Sequence, residues 1–350
     1  MKIKSKLFDK DLFENYCDNY IIMPIIVPKT ERIIAIGDIH GDIKMAKKIF
    51  FKCKLINEKL EWIAEPKNTI VVQVGDQIDS CRKNPYQQCH IKYDNDNGRD
   101  MEVLKFFDDM NLKAQKRGGA VYSLLGNHEI MNSMGDFRYT SYENYNKFKY
   151  TDINGKDFLG KSGREIAFRP TNSLAKHIAC TRYTVVVIGS NMFIHAGILP
   201  KITQIMDGIN ITDETKLKYL NIIVRNWLLG AKIDDNLLYN LLQSDISPFW
   251  TRIYGEIPNN TKMDEGDCKK YLKKILKVYK VKNLVVGHTP QINEDGKNEI
   301  CGTCYTQDNI NHLYKIDGAF SDSFNDINNS INPQILEILN DTDFKIITLN

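Results

Sequence analysis

The sequence predicts an α/β fold, because apolar strand-like runs alternate with helix-like segments along most of the chain. Residues 32–36, 69–74 and 120–125 are short apolar runs, and each ends next to a glycine. Residues 43–53 and 100–117 lie between them and repeat apolar side chains at helical spacing. We therefore expect parallel strands joined by helices, with functional side chains at the carboxyl ends of the strands.

The rest of the chain continues this pattern. Residues 183–188 and 191–194 predict a hairpin, and a helical stripe at 268–281 precedes a strand at 283–286. Two further strand candidates lie at 312–316 and 344–349, and a short helix is predicted over 6–16. In the absence of a repeat or a long linker, we expect an N-terminal arm at 1–30. One domain would then span 31–350, with insertions near 80–100 and 140–180.

Composition excludes several classes of protein. The 350 residues are 42% hydrophobic, which does not fit a fibrous or wholly disordered chain. Lys and Arg number 47 against 44 Asp and Glu, and the two signs are interleaved, so we expect no nucleic-acid partner. The apolar run at 21–27 is too short for a membrane span and is interrupted by Pro24, so no membrane association is expected.

The eight cysteines bear on the cellular compartment of the protein. The N-terminus lacks the pattern of a signal peptide, so we predict a cytoplasmic protein whose cysteines are mostly free thiols. Cys301 and Cys304 form one CxxC pair, and Cys81 and Cys89 lie in the insertion near 80–100. A structural zinc site and a redox role for Cys81 stay open as alternatives.

Three strand-like runs end in related motifs: GDIHG at 37–41, GDQID at 75–79 and GNHE at 126–129. In each motif a glycine permits a sharp turn, and an oxygen-bearing side chain follows it. His195 and His288 also follow apolar strands directly. One such motif is usually only a turn, but five together bring carboxylate, amide and imidazole ligands toward one sheet edge. That donor set suits a pair of Mn, Fe or Zn ions.

These motifs resemble those of the calcineurin-like metallophosphoesterases, phosphoprotein phosphatase branch. The segment LLGNHEIMNSMGDFRY at 124–139 is most similar to the Shewanella-like protein phosphatases. The resemblance implies a two-sheet β-sandwich core with βαβ units flanked by helices and a binuclear metal site at the strand ends. It also implies six metal ligands, with Asp76 as the bridge: Asp38, His40, Asp76, Asn127, His195 and His288.

The same resemblance implies the chemistry. A metal-bridging hydroxide would attack phosphorus in line, and His128 would protonate the leaving group as general acid. Asp79 would orient His128, although 49 residues separate them in the sequence.

Substrate binding is where the chain departs from the family pattern. Ser80 and Cys81 replace the Arg-Gly that follows the second Asp of the family's motif. Arg82 is the nearest substitute, with an ordinary solvated arginine as the alternative. Arg252 resembles the family's later phosphate-binding arginine, with a surface ion pair as its alternative.

The sequence thus predicts a metal-dependent phosphomonoesterase, with a phosphorylated protein or peptide as substrate. Phosphoserine, phosphothreonine and phosphotyrosine are all candidates. A hydrolase of diadenosine polyphosphates or other small phosphoanhydrides is the enzymatic alternative. A non-catalytic phosphoprotein-binding scaffold is the alternative from another class. We expect the aromatic, Lys-rich segment 139–150 and residues 151–180 to roof the metal site.

Overall fold

The computed structural model describes residues 11–82, 89–92, 96, 98–207, 212–324 and 332–350. Its core consists of two six-stranded sheets, in agreement with the predicted two-sheet α/β fold. In spatial order the first sheet comprises β1 (Ile26–Val27), β8 (Val185–Ile188), β9 (Asn191–Ile194), β10 (Asn283–Val286), β12 (Leu313–Lys315) and β11 (Cys301–Thr303). The second comprises β14 (Asp343–Thr348), β13 (Gln334–Leu339), β2 (Arg32–Ile36), β3 (Ile70–Gln73), β4 (Ala120–Leu124) and β7 (Arg182–Tyr183).

The helices flank these sheets, and a small hairpin of β5 (Lys149–Thr151) and β6 (Asp157–Leu159) lies apart from them. The helices of the first half are α1 (Asp11–Tyr16), α2 (Ile43–Lys52), α3 (Asp100–Gln115), α4 (Asn127–Ser133), α5 (Tyr142–Asn146), α6 (Gly160–Phe168) and α7 (Ser173–Thr181). Those of the second half are α8 (Pro200–Asp207), α9 (Asp213–Leu228), α10 (Asp235–Leu242) and α11 (Lys273–Tyr279), with a π-helical turn at Cys268–Leu272 before α11. Of the helix predicted over 6–16, only the part from Asp11 lies within the described residues.

The core explains why the inner strands of the two sheets have no polar face. Ile33, Ala35 and Val72 of the second sheet pack against the first sheet, which contributes Phe193 and Val285 among others. The opposite face of the same strands is covered by α2 and α3. Strands buried on both faces give continuous apolar runs, which is why their sequences were easy to recognise.

Two strand predictions need correction. The run at 183–188 is divided, because Tyr183 ends β7 in one sheet and Val185 begins β8 in the other. Strand β13, which pairs with both β14 and β2, was not predicted from the sequence. Its apolar residues come in pairs, Ile335-Leu336 and Ile338-Leu339, a spacing that is closer to a helix than to an alternating strand.

The expectation of mostly free thiols is wrong for this structure. Six of the eight cysteines form three disulfides, Cys17–Cys180, Cys81–Cys89 and Cys268–Cys304, and the free cysteines are Cys53 and Cys301. Because Cys304 is bonded to Cys268, the CxxC pair does not form a zinc site. Sequence spacing could not reveal these pairs, since 36 to 163 residues separate the partners of two of them.

None of the described helices combines the length and the apolar character that crossing a bilayer requires.

Candidate metal centre

The predicted site residues converge where the two sheets meet. Strands β2, β3 and β4 run parallel in one sheet, and β9 and β10 run parallel in the other. The five strand ends therefore belong to two sheets, which corrects the expectation of one sheet edge. All six predicted ligands are 5% exposed or less: Asp38, His40, Asp76, Asn127, His195 and His288.

Asp76 lies at the centre of this cluster. Its Oδ2 is 4.0 Å from His40 Nε2, 3.7 Å from His128 Nε2 and 3.5 Å from His195 Nε2. Two three-residue groups with the spacing of metal ligands share this carboxylate. One contains His40 and His128, and the other contains His195 and His288. The shared carboxylate gives the arrangement expected for a pair of ions.

Asp38 and Asn127 complete the cluster. Asp38 Oδ2 lies 3.9 Å from His40 Nε2 and accepts a hydrogen bond from the backbone N–H of His288 at 3.2 Å. Asn127 Oδ1 lies 3.0 Å from His195 Nε2 and 2.9 Å from His288 Nδ1. These oxygen and nitrogen atoms therefore face one another across a small volume.

Local backbone geometry makes this crowding possible. His40, Asp76 and His288 have φ values of 46°, 55° and 67°, in the left-handed region that non-glycine residues rarely adopt. A Cβ on Gly126 would lie 2.1 Å from Asp76 Oδ1, and one on Gly287 would lie 2.4 Å from Asp38 Oδ1. The two glycines are required because the carboxylates occupy the space that any side chain would need.

Burial shifts the pKa values of the cluster, and its donor atoms fit cations. Burial raises the pKa of Asp76 to about 8, and burial together with Asp317 and Asp76 raises the pKa of Asp38 well above its usual range. Burial also lowers the pKa of His195 to about 4 and that of His288 well below the usual range. Buried carboxylates beside neutral imidazoles with free lone pairs are a donor set that fits divalent metal ions.

His128 and Asp79 are brought together as the resemblance implied. His128 Nδ1 lies 2.9 Å from Asp79 Oδ2, and the ring's other nitrogen faces Asp76. Asp79 is fully buried, and it also accepts hydrogen bonds from Asn132 Nδ2 at 2.8 Å and Thr140 Oγ1 at 2.7 Å. The carboxylate therefore fixes the orientation of the imidazole.

Arg82 reaches the site, whereas a solvated arginine would not. Its Nη2 lies 2.9 Å from His40 Nε2 and 3.3 Å from His128 Nε2. The guanidinium carbon is 5.1 Å from the centre of the Tyr139 ring and 5.2 Å from that of Phe324. Nη1 donates to the backbone oxygen of Asp79 at 3.1 Å, which ties the arginine to the second motif.

Arg252 lies at the mouth of the same cavity and is exposed. The cavity measures about 300 Å³, and its walls include Trp250, Asp317 and Phe324. Of the segments 139–150 and 151–180 that were expected to roof the site, Tyr139 alone lines the cavity, so the expectation holds for that residue and is wrong for 140–180. Parts of the segment instead pack behind Asp79.

Three buried charged residues near this cluster were not predicted from the sequence: Asp317, Glu129 and Arg164. Asp317 follows β12 and is 1% exposed, and its charge raises the pKa of Asp38. Glu129 accepts backbone N–H groups from Gly126, Asp76 and Gln77 at 2.7, 3.0 and 2.8 Å. Arg164 contacts Asp79 from α6. Asp317 could have been found as an aspartate between a strand and a glycine, but no local signal marks Arg164.

Comparison with known proteins identifies the class. A model of the Calcineurin-like phosphoesterase family matches residues 31–292, so the chain belongs to this family and is a hydrolase, as the motifs predicted. Phosphoesterases of this family use divalent metal ions.

Individual proteins with similar sequences also match the chain. The chain is 49% identical to an uncharacterized protein of Acanthamoeba polyphaga mimivirus over 249 residues, covering 69% of this chain and 98% of that protein. It is 27% identical to Shewanella-like protein phosphatase 2 of Arabidopsis thaliana, covering 92% of this chain and 78% of that protein. The Arabidopsis match confirms the resemblance to the Shewanella-like branch.

A solved structure supports the fold. The crystal structure of a cold-active protein-tyrosine phosphatase from a psychrophilic Shewanella species has a TM-score of 0.62 and 21% identity. It covers all of this chain, and this chain covers 86% of it.

Proposed function

We propose that the protein is a phosphomonoesterase that removes phosphate from phosphoserine, phosphothreonine or phosphotyrosine residues of other proteins. The observation that carries the proposal is the pairing of two ligand groups on Asp76 with the His128–Asp79 contact at 2.9 Å. This combination offers a place for the phosphoryl group and a proton donor for the leaving oxygen. The name of the Arabidopsis relative, Shewanella-like protein phosphatase 2, agrees with it.

The ligands we propose are Asp38, His40 and Asp76 for one ion and Asp76, Asn127, His195 and His288 for the other. Mn, Fe and Zn all suit this mixture of oxygen and nitrogen donors. Two bound ions would lower the pKa of a water molecule and draw charge from the phosphoryl oxygens.

The chain's own residues perform the other tasks. Arg82, and Arg252 at the cavity mouth, would hold phosphoryl oxygens through guanidinium N–H groups. The Nε2–H of His128 would pass its proton to the leaving oxygen while Asp79 holds Nδ1. Arg82 thus takes the task of the arginine that Ser80 replaces. The aromatic side chains Tyr139 and Phe324 keep its guanidinium beside the histidines.

The experiment that tests the function is a substrate panel with the Mn-loaded protein. It compares phosphoserine, phosphothreonine and phosphotyrosine peptides with diadenosine tetraphosphate, and uses Asp76→Asn as the inactive control. We expect turnover of at least one phosphopeptide and none by the variant. Cleavage of the dinucleotide alone would overturn the protein phosphatase proposal. Peptide binding without turnover would favour the scaffold alternative.

Location in the cytoplasm stays a prediction. Disulfides are commoner in oxidising compartments, so the number of free thiols in the purified protein bears on it directly.

A further inference from the structure

Arg164 is a fully buried arginine that the reaction described above does not use. It lies on α6, whose buried face also includes Gly163, Ala167 and Phe168, and its guanidinium carbon is 4.8 Å from the centre of the Phe168 ring. Burying a cation on the apolar face of a helix is costly unless acceptors surround it. Its partners therefore indicate why this position carries an arginine.

Two buried carboxylates lie on either side of the guanidinium. Arg164 Nη2 is 2.8 Å from Asp100 Oδ2 and 3.4 Å from Asp79 Oδ1. Asp100 Oδ1 accepts the backbone N–H of Asp79 at 3.1 Å, so the two aspartates are held close together. Without the cation their charges would repel each other, and Asp79 is the one that holds His128.

Arg164 also acts on Asp79 through Asn132. Its Nε and Nη2 donate to Asn132 Oδ1 at 3.0 and 2.7 Å, which turns the amide nitrogen of Asn132 toward Asp79. That nitrogen donates to Asp79 Oδ2 at 2.8 Å, the same oxygen that His128 Nδ1 contacts. One guanidinium thus constrains both oxygens of the carboxylate.

We propose that Arg164 is a positioning residue for proton transfer, because it fixes Asp79 and thereby aims His128 at the leaving oxygen. The inference rests on the proposed function in so far as His128 is the proton donor. Arg164 itself does not line the cavity, so its effect must pass through Asp79 and Asn132.

The test uses a charge-compensated variant. Arg164→Met alone would leave two buried carboxylates unpaired and could prevent folding. The main variant therefore combines Arg164→Met with Asp100→Asn, and Asp100→Asn alone is its reference. Arg225→Met is the matched control, because Arg225 is another buried arginine, held on α9 by the backbone oxygen of Ala179.

The dependence of kcat on the leaving group of the substrate distinguishes a positioning role of Arg164 from a purely structural one. Phenyl phosphate has a poor leaving group that needs a proton, whereas p-nitrophenyl phosphate has a good one. Relative to Asp100→Asn, we expect the double variant to lose on the order of 10²-fold in kcat on phenyl phosphate, with little loss on p-nitrophenyl phosphate. The ratio of the two rates should be unchanged in Arg225→Met. Equal losses on both substrates, or none, would overturn the proposal.

A crystal structure of the double variant tests the positioning role of Arg164 without an activity measurement. We expect the contact between Asp79 Oδ2 and His128 Nδ1, now 2.9 Å, to lengthen beyond hydrogen-bond range. An unchanged contact would overturn the role of Arg164. A wild-type protein that hydrolyses no phosphomonoester would instead overturn the proposed function, and the structural comparison would still decide the role of Arg164.

Discussion

His128 illustrates how much the partners of one side chain determine. Its Nδ1 contacts Asp79, its Nε2 faces Asp76 and Arg82, and its backbone N–H donates to Asp76 Oδ1 at 3.0 Å. The backbone contact is independent of the side chain. A substitution at this position can therefore remove the imidazole while leaving the loop around Asp76 in place.

We predict that His128→Asn lowers kcat by about 10²–10⁴-fold, the usual contribution of a general acid, with little change in KM. Steady-state rates on phenyl phosphate measure this, and metal analysis should show an unchanged metal content. The control is His177→Asn, since His177 pairs with Asp108 at 2.7 Å and does not line the cavity. A wild-type kcat in His128→Asn would contradict the assignment.

At the scale of elements, the N-terminus of α4 connects two of the motifs. Glu129 sits at the third position of this helix, and its carboxylate accepts the N–H groups of Gly126, Asp76 and Gln77. One side chain thus caps the helix that carries Asn127 and His128. The same side chain holds the loop that carries Asp76.

We predict that Glu129→Ala lowers the free energy of unfolding by about 2–4 kcal/mol, because buried N–H groups lose their acceptor. It should also weaken metal binding, since both motifs become less constrained. Chemical denaturation and a metal titration measure the two effects. The matched control is Glu143→Ala, a surface helix residue paired with Lys147, which should change neither quantity appreciably. Wild-type stability and metal affinity in Glu129→Ala would show that the cap is dispensable.

At the scale of the whole molecule, the net charge is close to zero although several acidic side chains are buried together at the centre. The chain carries a formal net charge of +3, but Asp38, Asp76 and Asp317 are buried together between the sheets. Burial raises the pKa of Glu129 to about 7 and that of Asp76 to about 8. In the metal-free protein these groups hold protons that the unfolded chain has already released.

We predict that the free energy of unfolding of the metal-free protein decreases as the pH rises from about 6.5 to about 8.5. Carboxyl groups with raised pKa values favour the folded state only while they stay protonated. The buried histidines, whose pKa values are lowered, act in the opposite sense and offset part of this loss until about one pH unit above their ordinary pKa of 6.5, where their contribution is complete. Thermal unfolding in chelator at both pH values measures the loss. Adding Mn should reduce it, and a metal-free protein more stable at the higher pH would contradict this interpretation.

The disulfides give a second prediction for the whole molecule. Under denaturing conditions without reductant, two thiols per chain should react, Cys53 and Cys301, and after reduction all eight should react. A thiol reagent with mass analysis makes the count. Eight reactive thiols before reduction would contradict the three pairs and would favour a reducing compartment.

The sequence by itself determined the donor set and the strands that precede it, although not β13 or the division of the run at 183–188. Asp38, Asp76, Asn127 and His288 each follow a glycine at the end of an apolar run, and this local pattern is independent of distant contacts. Only the tertiary structure decided that these strands belong to two sheets, that six cysteines pair and that Arg164 lies behind Asp79. Such contacts join residues up to 163 positions apart, and burial rather than local propensity selects them.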